Sequence, residues 1–277
     1  MPTARLNTGI ELYYESHGAG EPLFFIPATG MSGNVWDKTQ VPALSKHLRV
    51  ITHDPRGTGR SAKPEGVYSL DQMACDVASL MDHLGIASAH IIGHSMGGRI
   101  GLALTLAFPG RVKSLILAAS GSGPASRTGE DCVVGLPFNL VYSLVERGYE
   151  GHVRHEVCES TGFFTTDFLQ RQPAKVREFF AHAWPLHARW PEYLRLCLAR
   201  QMWEATHRLG DVKVPTLVAI GDADTIGSNH VTQAEVMAKR IPKAEYLLLP
   251  GQSHGFFWQA PEETNAWILD WVRRHAA

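Results

Sequence analysis

Three kinds of side chain in this sequence have the chemistry of nucleophilic acyl transfer and stand where a fold could bring them together. Ser95 lies in Gly93-His94-Ser95-Met96-Gly97-Gly98, a G-x-S-x-G spacing. Glycines two residues either side of the serine let a strand turn sharply into a helix without Cβ clashes. A serine hydroxyl is a weak nucleophile near neutral pH, so it needs a base, and the base needs an acid to orient it. Of the 14 histidines, His254 is the best placed, in the loop Pro250-Gly251-Gln252-Ser253-His254-Gly255 behind the last apolar strand pattern. Two carboxylates, Asp222 and Asp224, follow the preceding strand pattern in Gly221-Asp222-Ala223-Asp224-Thr225-Ile226. Spacing alone does not choose between them. An incidental serine in a glycine-rich turn would look the same locally, so the surrounding elements must decide.

Those elements alternate. Ile10–Glu15 has the period of a half-exposed strand, and Leu23–Ile26 is a continuous apolar run suited to a buried one. A helix is expected from about Trp36 towards His47, a strand over Arg49–His53 and a helix over Leu70–Leu84. The strand Ala89–Ile92 and an amphipathic helix from Arg99 to Phe108 flank Ser95, and a strand runs over Val112–Ala119. This pattern predicts an α/β fold with a mostly parallel sheet covered by helices on both faces. In such sheets reactive groups collect beyond the C-terminal strand ends. The alternation breaks at Ser120-Gly121-Ser122-Gly123-Pro124 and resumes with Val214–Gly221, a helix near Gln233–Arg240, the strand Ala244–Leu249 and a helix from Pro261 to about Arg274. The expected organisation is a core of residues 1–121 and 208–277 interrupted by a helical cap, 122–207. The cap carries 12 of the 25 aromatic residues in under a third of the length, most of them expected to serve its own core. Others are expected to wall an apolar pocket over Ser95.

Composition narrows the partners. In 277 residues the formal net charge is −1, with 44% hydrophobic and 19% charged residues, so there is no electrostatic case for nucleic acid or an anionic membrane. Met1–Asn7 lacks a long apolar segment, and no apolar run approaches transmembrane length. Cys75, Cys132, Cys158 and Cys197 stand far apart, as reduced thiols of a cytoplasmic protein do. A monomer or homodimer acting on a small molecule is expected.

Taken together these residues resemble the α/β-hydrolase fold family, in its capped form, over nearly the whole length outside the cap. The order Ser95, Asp, His254 is that family's order. Its G-x-x-D-x-[apolar] turn selects Asp224 with Ile226 over Asp222, and Asp54-Pro55-Arg56-Gly57-Thr58-Gly59-Arg60-Ser61 matches its D-x-R-G-x-G-x-S loop, read here as architectural. Where the family usually has His-Gly after the third strand, this chain has Pro27-Ala28. The resemblance then puts Thr29 in the oxyanion hole with Met96, each through a backbone N–H. The Thr29 hydroxyl either adds a third donor or bonds its own loop. The stretch Gln40–Gly98 is similar to 3-oxoadipate enol-lactonases and haloperoxidase-like esterases. The activity implied is cleavage of a small apolar or aromatic ester or lactone through an acyl-enzyme. No cofactor and no metal are expected, since His152 and His155 fit no metal-binding framework. Carbon–carbon bond hydrolysis of ring-cleavage products and a ligand sensor on the same scaffold are the alternatives.

Overall fold

The computed structural model describes residues 2–124, 138–226 and 230–276. Its first half runs β1 (Thr3–Arg5), β2 (Glu11–His17), β3 (Pro22–Ile26), α1 (Gln40–Leu44), β4 (Arg49–His53), α2 (Leu70–His83), β5 (Ala89–His94), α3 (Met96–Ala107) and β6 (Val112–Ala118). Helices follow: α4 (Phe138–Cys158), bent at Gly148, then α5 (Thr166–Arg171), α6 (Pro173–Ala183) and α7 (Trp190–Met202). The chain closes with β7 (Thr216–Gly221), α8 (His230–Arg240), β8 (Ala244–Leu249), α9 (Phe256–Gln259) and α10 (Pro261–Arg274).

The strands form one eight-stranded sheet in the order β1-β2-β4-β3-β5-β6-β7-β8. β2 pairs antiparallel with both β1 and β4, and the remaining pairings, from β4–β3 to β7–β8, are parallel. Parallel strands need helical crossovers, so the central ones are covered on both faces, which is why their sequences read as unbroken apolar runs. Phe24, Phe25, Ile91, Leu115, Ile116 and Leu117 are fully buried. At the β8 edge, Tyr246 and Leu248 are exposed.

Local chemistry sets the helix limits. Ser69 caps α2 in a complete capping box with Gln72. The helix expected from Trp36 to His47 is shorter: Gly33–Trp36 is a 3₁₀ turn and α1 covers only Gln40–Leu44. Pro42, in the first turn of α1, lacks an N–H and tolerates little helix before it. Trp36 is instead held by aromatic packing, 4.9 Å from Phe25 and 5.2 Å from Trp258, the latter nearly parallel.

Arg56 makes a two-pronged pair with Asp76 of α2, at 2.6 and 2.7 Å, both side chains buried. Asp54 accepts from the Gly33 N–H at 2.9 Å and from the Arg60 N–H and Nε, each at 2.8 Å. The Asp54–Ser61 loop therefore braces the turn that follows β3. Among the described residues of the interruption after β6 there are helices and no strand. Cys132 lies outside the described residues; Cys75, Cys158 and Cys197 are free thiols. No described helix is long and apolar enough to cross a membrane.

Candidate active site

Ser95 directly follows the strand β5 and caps α3 with φ 57°, ψ −116°. A non-glycine residue pays roughly 1–3 kcal/mol for such a backbone, and the contacts around it show what holds it there. Its N–H donates to Ala118 O at 2.8 Å, and Ser120 Oγ donates to Ser95 O at 2.7 Å. A Cβ on Gly93 would stand 2.2 Å from Gly97 O, and one on Gly97 would stand 2.1 Å from Ile26 O. Only glycine lets the start of α3 lie this close to the ends of β5 and β3. The same contact sets Met96, fully buried, beside the Pro27–Gly30 turn.

His254 follows β8, and its Nδ1 lies 2.8 Å from Asp224 Oδ2 at the end of β7. Both are buried. Asp224 Oδ1 accepts from the Ile226 N–H and pairs with His230 Nδ1, both at 3.1 Å. Burial pushes the Asp224 carboxyl up, but the facing His254 and His230 outweigh it and hold it well below the usual carboxylate range. Asp222 is exposed, and its carboxylate accepts from the Gly251 N–H at 2.8 Å. The structure thus brings Asp224 to His254 and turns Asp222 to the surface turn after β8.

Two histidines that the sequence did not single out complete the cluster. His94, directly before Ser95, lies with its ring 4.8 Å from that of His254, and its Nε2 bonds His254 O at 3.0 Å. Burial drives its basicity well down, so a neutral ring with Nε2–H fastens the His254 backbone beside Ser95. His230, the first residue of α8, stacks on His254 at 5.2 Å and is likewise shifted down by burial. His94 sits inside the serine motif, where its proximity was legible. His230 stands six residues past Asp224 with no spacing rule to mark it.

Thr29 follows β3. Its Oγ1 accepts from Arg200 Nη1 at 3.3 Å, so the hydroxyl meets the helical segment rather than its own loop. That segment is sewn to the β3 turn: Ala188 N–H donates to Gly30 O at 2.7 Å, Asn34 Nδ2 to His182 O at 2.7 Å, and Ser32 Oγ to Leu186 O. On the other side Gly255 N–H donates to Phe163 O at 2.7 Å, and the Phe163 ring lies 5.9 Å from that of His254. Phe256, Phe257 and Trp258 are buried beneath the His254 loop.

Asp224, His230 and His254 have donor atoms within 4.8 Å of one another, a set able to hold a metal ion. Such an ion would compete for the Nδ1 that His254 gives to Asp224, so the two uses of these atoms exclude each other. His152 and His155 face other partners, Ser143 Oγ and Glu159 Oε2, each at 3.0 Å. A cavity of about 520 Å³ bordered by Arg154, Cys158, Arg177, Phe180 and Trp184 contains none of the five residues anticipated at the site. The placement of those five beyond the C-terminal ends of β3, β5, β7 and β8 in one sheet, not cavity size, marks this as the candidate site.

Residues 21–261 match the family model of the alpha/beta hydrolase fold. A protein of Azorhizobium caulinodans assigned as carbamate hydrolase RutD is 30% identical over 268 residues, 94% of each chain. One of Synechocystis assigned as a non-heme chloroperoxidase is 27% identical over 95% of each. The enol-lactonase of Burkholderia xenovorans superposes with a TM-score of 0.81 at 28% identity, covering 98% of this chain and 100% of that one. A thermophilic esterase from Thermogutta terrifontis gives 0.84 at 25% identity, over 99% and 100%.

Proposed function

The chain belongs to the alpha/beta hydrolase fold family, and we propose that it is a serine hydrolase that cleaves a small carboxylic ester or lactone through an acyl-enzyme. The observation that carries this reading is the 2.8 Å His254–Asp224 pair, its loop bonded at His254 O by His94, the residue before a serine whose backbone has φ 57°. In the proposed reaction Ser95 Oγ attacks the carbonyl carbon while His254 Nε2 takes its proton. Asp224 keeps the proton on Nδ1 and stabilises the imidazolium that forms. The oxygen's developing charge meets the Thr29 N–H behind β3 and the Met96 N–H at the start of α3, where loss of one donor typically costs about 3 kcal/mol of barrier. His254 then protonates the leaving oxygen, and a water attacks the acyl-enzyme by the same route. Every atom comes from protein, substrate or water, so the chemistry needs no cofactor.

Residues 122–207 act in this reading as a cap. Phe163 faces the His254 side and Tyr193 the Thr29 side, where a Cβ on Gly30 would stand 3.0 Å from the Tyr193 ring. They leave a partly aromatic wall for the acyl and alcohol groups. A carbamate is the second reading, favoured by the relatives assigned to that activity; the serine would form a carbamoyl-enzyme by the same steps. A fluorophosphonate probe tests the proposal: it should label Ser95 alone, and Ser95→Ala should abolish labelling and hydrolysis of nitrophenyl esters. Hydrolysis by Ser95→Ala at the wild-type rate would end it.

A further inference from the structure

Arg200, near the end of α7, is placed oddly for a structural cation. Its Nη1 reaches Thr29 Oγ1 at 3.3 Å, while its backbone O accepts from Arg99 Nη1 of α3 at 2.7 Å. The residue therefore bridges the two elements that carry Thr29 and Met96. Its Nε is buried and has no hydrogen-bond partner. Among the described residues no carboxylate lies within 4.0 Å of its guanidinium.

Other arginines of the helical segment behave differently. Arg189 and Arg195 share Glu192 at 3.0 and 3.5 Å, Arg154 pairs with Glu150 at 2.7 Å, and Arg147 and Arg177 are exposed to water. Arg200 has neither compensation. Its surroundings are the half-buried Tyr193 and the fully buried Cys197, whose acidity burial suppresses, so neither neutralises it. His187, which packs on Gly30 beside Tyr193, is held down to about 4 by burial and is neutral. A half-buried guanidinium with an idle buried donor is costly unless an anion completes it. Its planar fork suits a carboxylate.

We infer that Arg200 is an anion-binding residue of the substrate pocket, and that the substrate carries a carboxylate close to the carbonyl under attack. The position of that carboxylate relative to the scissile bond rests on the serine-hydrolase reading; the existence of the anion site does not. The carboxylate accepts from Nε and Nη2, the two donors on one edge of the fork, while Nη1 keeps its bond to Thr29 Oγ1, and no covalent bond to Arg200 is made or broken. Neutral esters of the same length bind without this contact.

Two uncleavable ketones test the site without hydrolysis: 4-oxopentanoate, and 2-hexanone as its neutral counterpart. Binding of each is measured by ligand-observed NMR at pH 7 to wild type, Arg200→Gln and Arg200→Lys. The Gln variant should weaken 4-oxopentanoate by about 10- to 100-fold, the range for a hydrogen bond to a charged group, and leave 2-hexanone unchanged. Equal 4-oxopentanoate affinity in wild type and Arg200→Gln overturns the inference. Should Arg200→Gln fail to fold, Arg200→Lys decides, since it keeps the charge but loses the fork. Weaker binding of the anion alone then supports the site, and unchanged binding overturns it. In turnover, Arg200→Gln should lower kcat/KM for nitrophenyl hydrogen glutarate and spare nitrophenyl pentanoate; an equal loss on both also overturns it. If Ser95→Ala still hydrolyses both esters while the ketone results stand, the serine mechanism fails and the anion site survives.

Discussion

The sheet and the helical segment that interrupts it solve different problems with the same kinds of residue. In the sheet, aromatic and aliphatic side chains vanish from solvent: Phe24, Phe25, Trp36 and Ile91 are fully buried. In the helical segment, Tyr142, Val145 and Met202 are 54%, 76% and 69% exposed. It meets the core through loop hydrogen bonds at Gly30, Asn34 and Gly255 and through Phe163 and Phe179, whose rings lie 5.6 and 4.6 Å from that of Trp258. Close-packed interiors resist small displacements, so strand ends hold Ser95, Asp224 and His254 in register. A segment joined at its loops can vary its inner face without disturbing them. In the proposed reading this difference assigns bond chemistry to the strand ends and substrate selection to the helical segment.

The sharpest way to break that division is at the carboxylates after β7. Asp224→Asn should lower kcat by about 10⁴-fold, because an amide disturbs the imidazole's tautomer, while Asp222→Asn changes it little. Steady-state kinetics with both variants folded checks this. A larger loss for Asp222→Asn would move the acid to the surface turn and undo the geometric assignment.

Stability separates the two regions next. Trp36→Ala should cost about 3–5 kcal/mol in denaturant unfolding, the range for a buried aromatic. Trp184→Ala, at a half-buried site where its ring stacks on Phe180 at 5.6 Å, should cost less and instead alter kcat/KM ratios among acyl groups. Should folded variants across the helical segment leave every ratio unchanged, that segment would be scaffolding.

A smaller effect is expected at His230. His230→Gln preserves a donor towards Asp224 but removes the stacked ring, and should lower kcat by about tenfold or less, a loss of roughly 1.4 kcal/mol of barrier. Wild-type kinetics in His230→Gln would reduce the residue to packing.

The gentlest probe is pH. Burial depresses His53, His90 and His187, each to about 4. Unfolded, these rings take up protons near 6.5, so the unfolded state binds more protons between about 6.5 and 4 and stability must fall as pH drops through that window. Above it the contribution is fully present. Tm should therefore decline from pH 7 to pH 5 and hold from pH 7 to pH 8. His53 and His90 lie in the sheet and His187 in the helical segment. His53→Gln and His187→Gln compared by calorimetry would show which region sets the acid slope.

Much of this architecture was legible in the chain. Runs such as Leu23–Ile26 and Ala89–Ile92 announce strands covered on both faces, and the glycines around Ser95 announce a turn that only glycine allows. Periodicity and turn chemistry are local, so they survive in the one-dimensional pattern. α1 is shorter than hydrophobic periodicity predicts because Pro42 limits the helix upstream of it, which periodicity does not register. The choice of Asp224 over Asp222 came from family resemblance, since both stand in the same turn. Burial and the pairing of β7 with β8 distinguish them, and neither is a property of six residues in sequence. His230 and Arg200 were beyond reach for the same reason. One becomes relevant only when α8 starts beneath His254, the other only when α7 ends over Thr29. The strands and the serine turn follow from residues close together in the chain, because backbone sterics and hydrophobic periodicity act between near neighbours. Which charges are buried and which donors are left idle follows from the packed fold, because desolvation depends on what distant parts of the chain place around them.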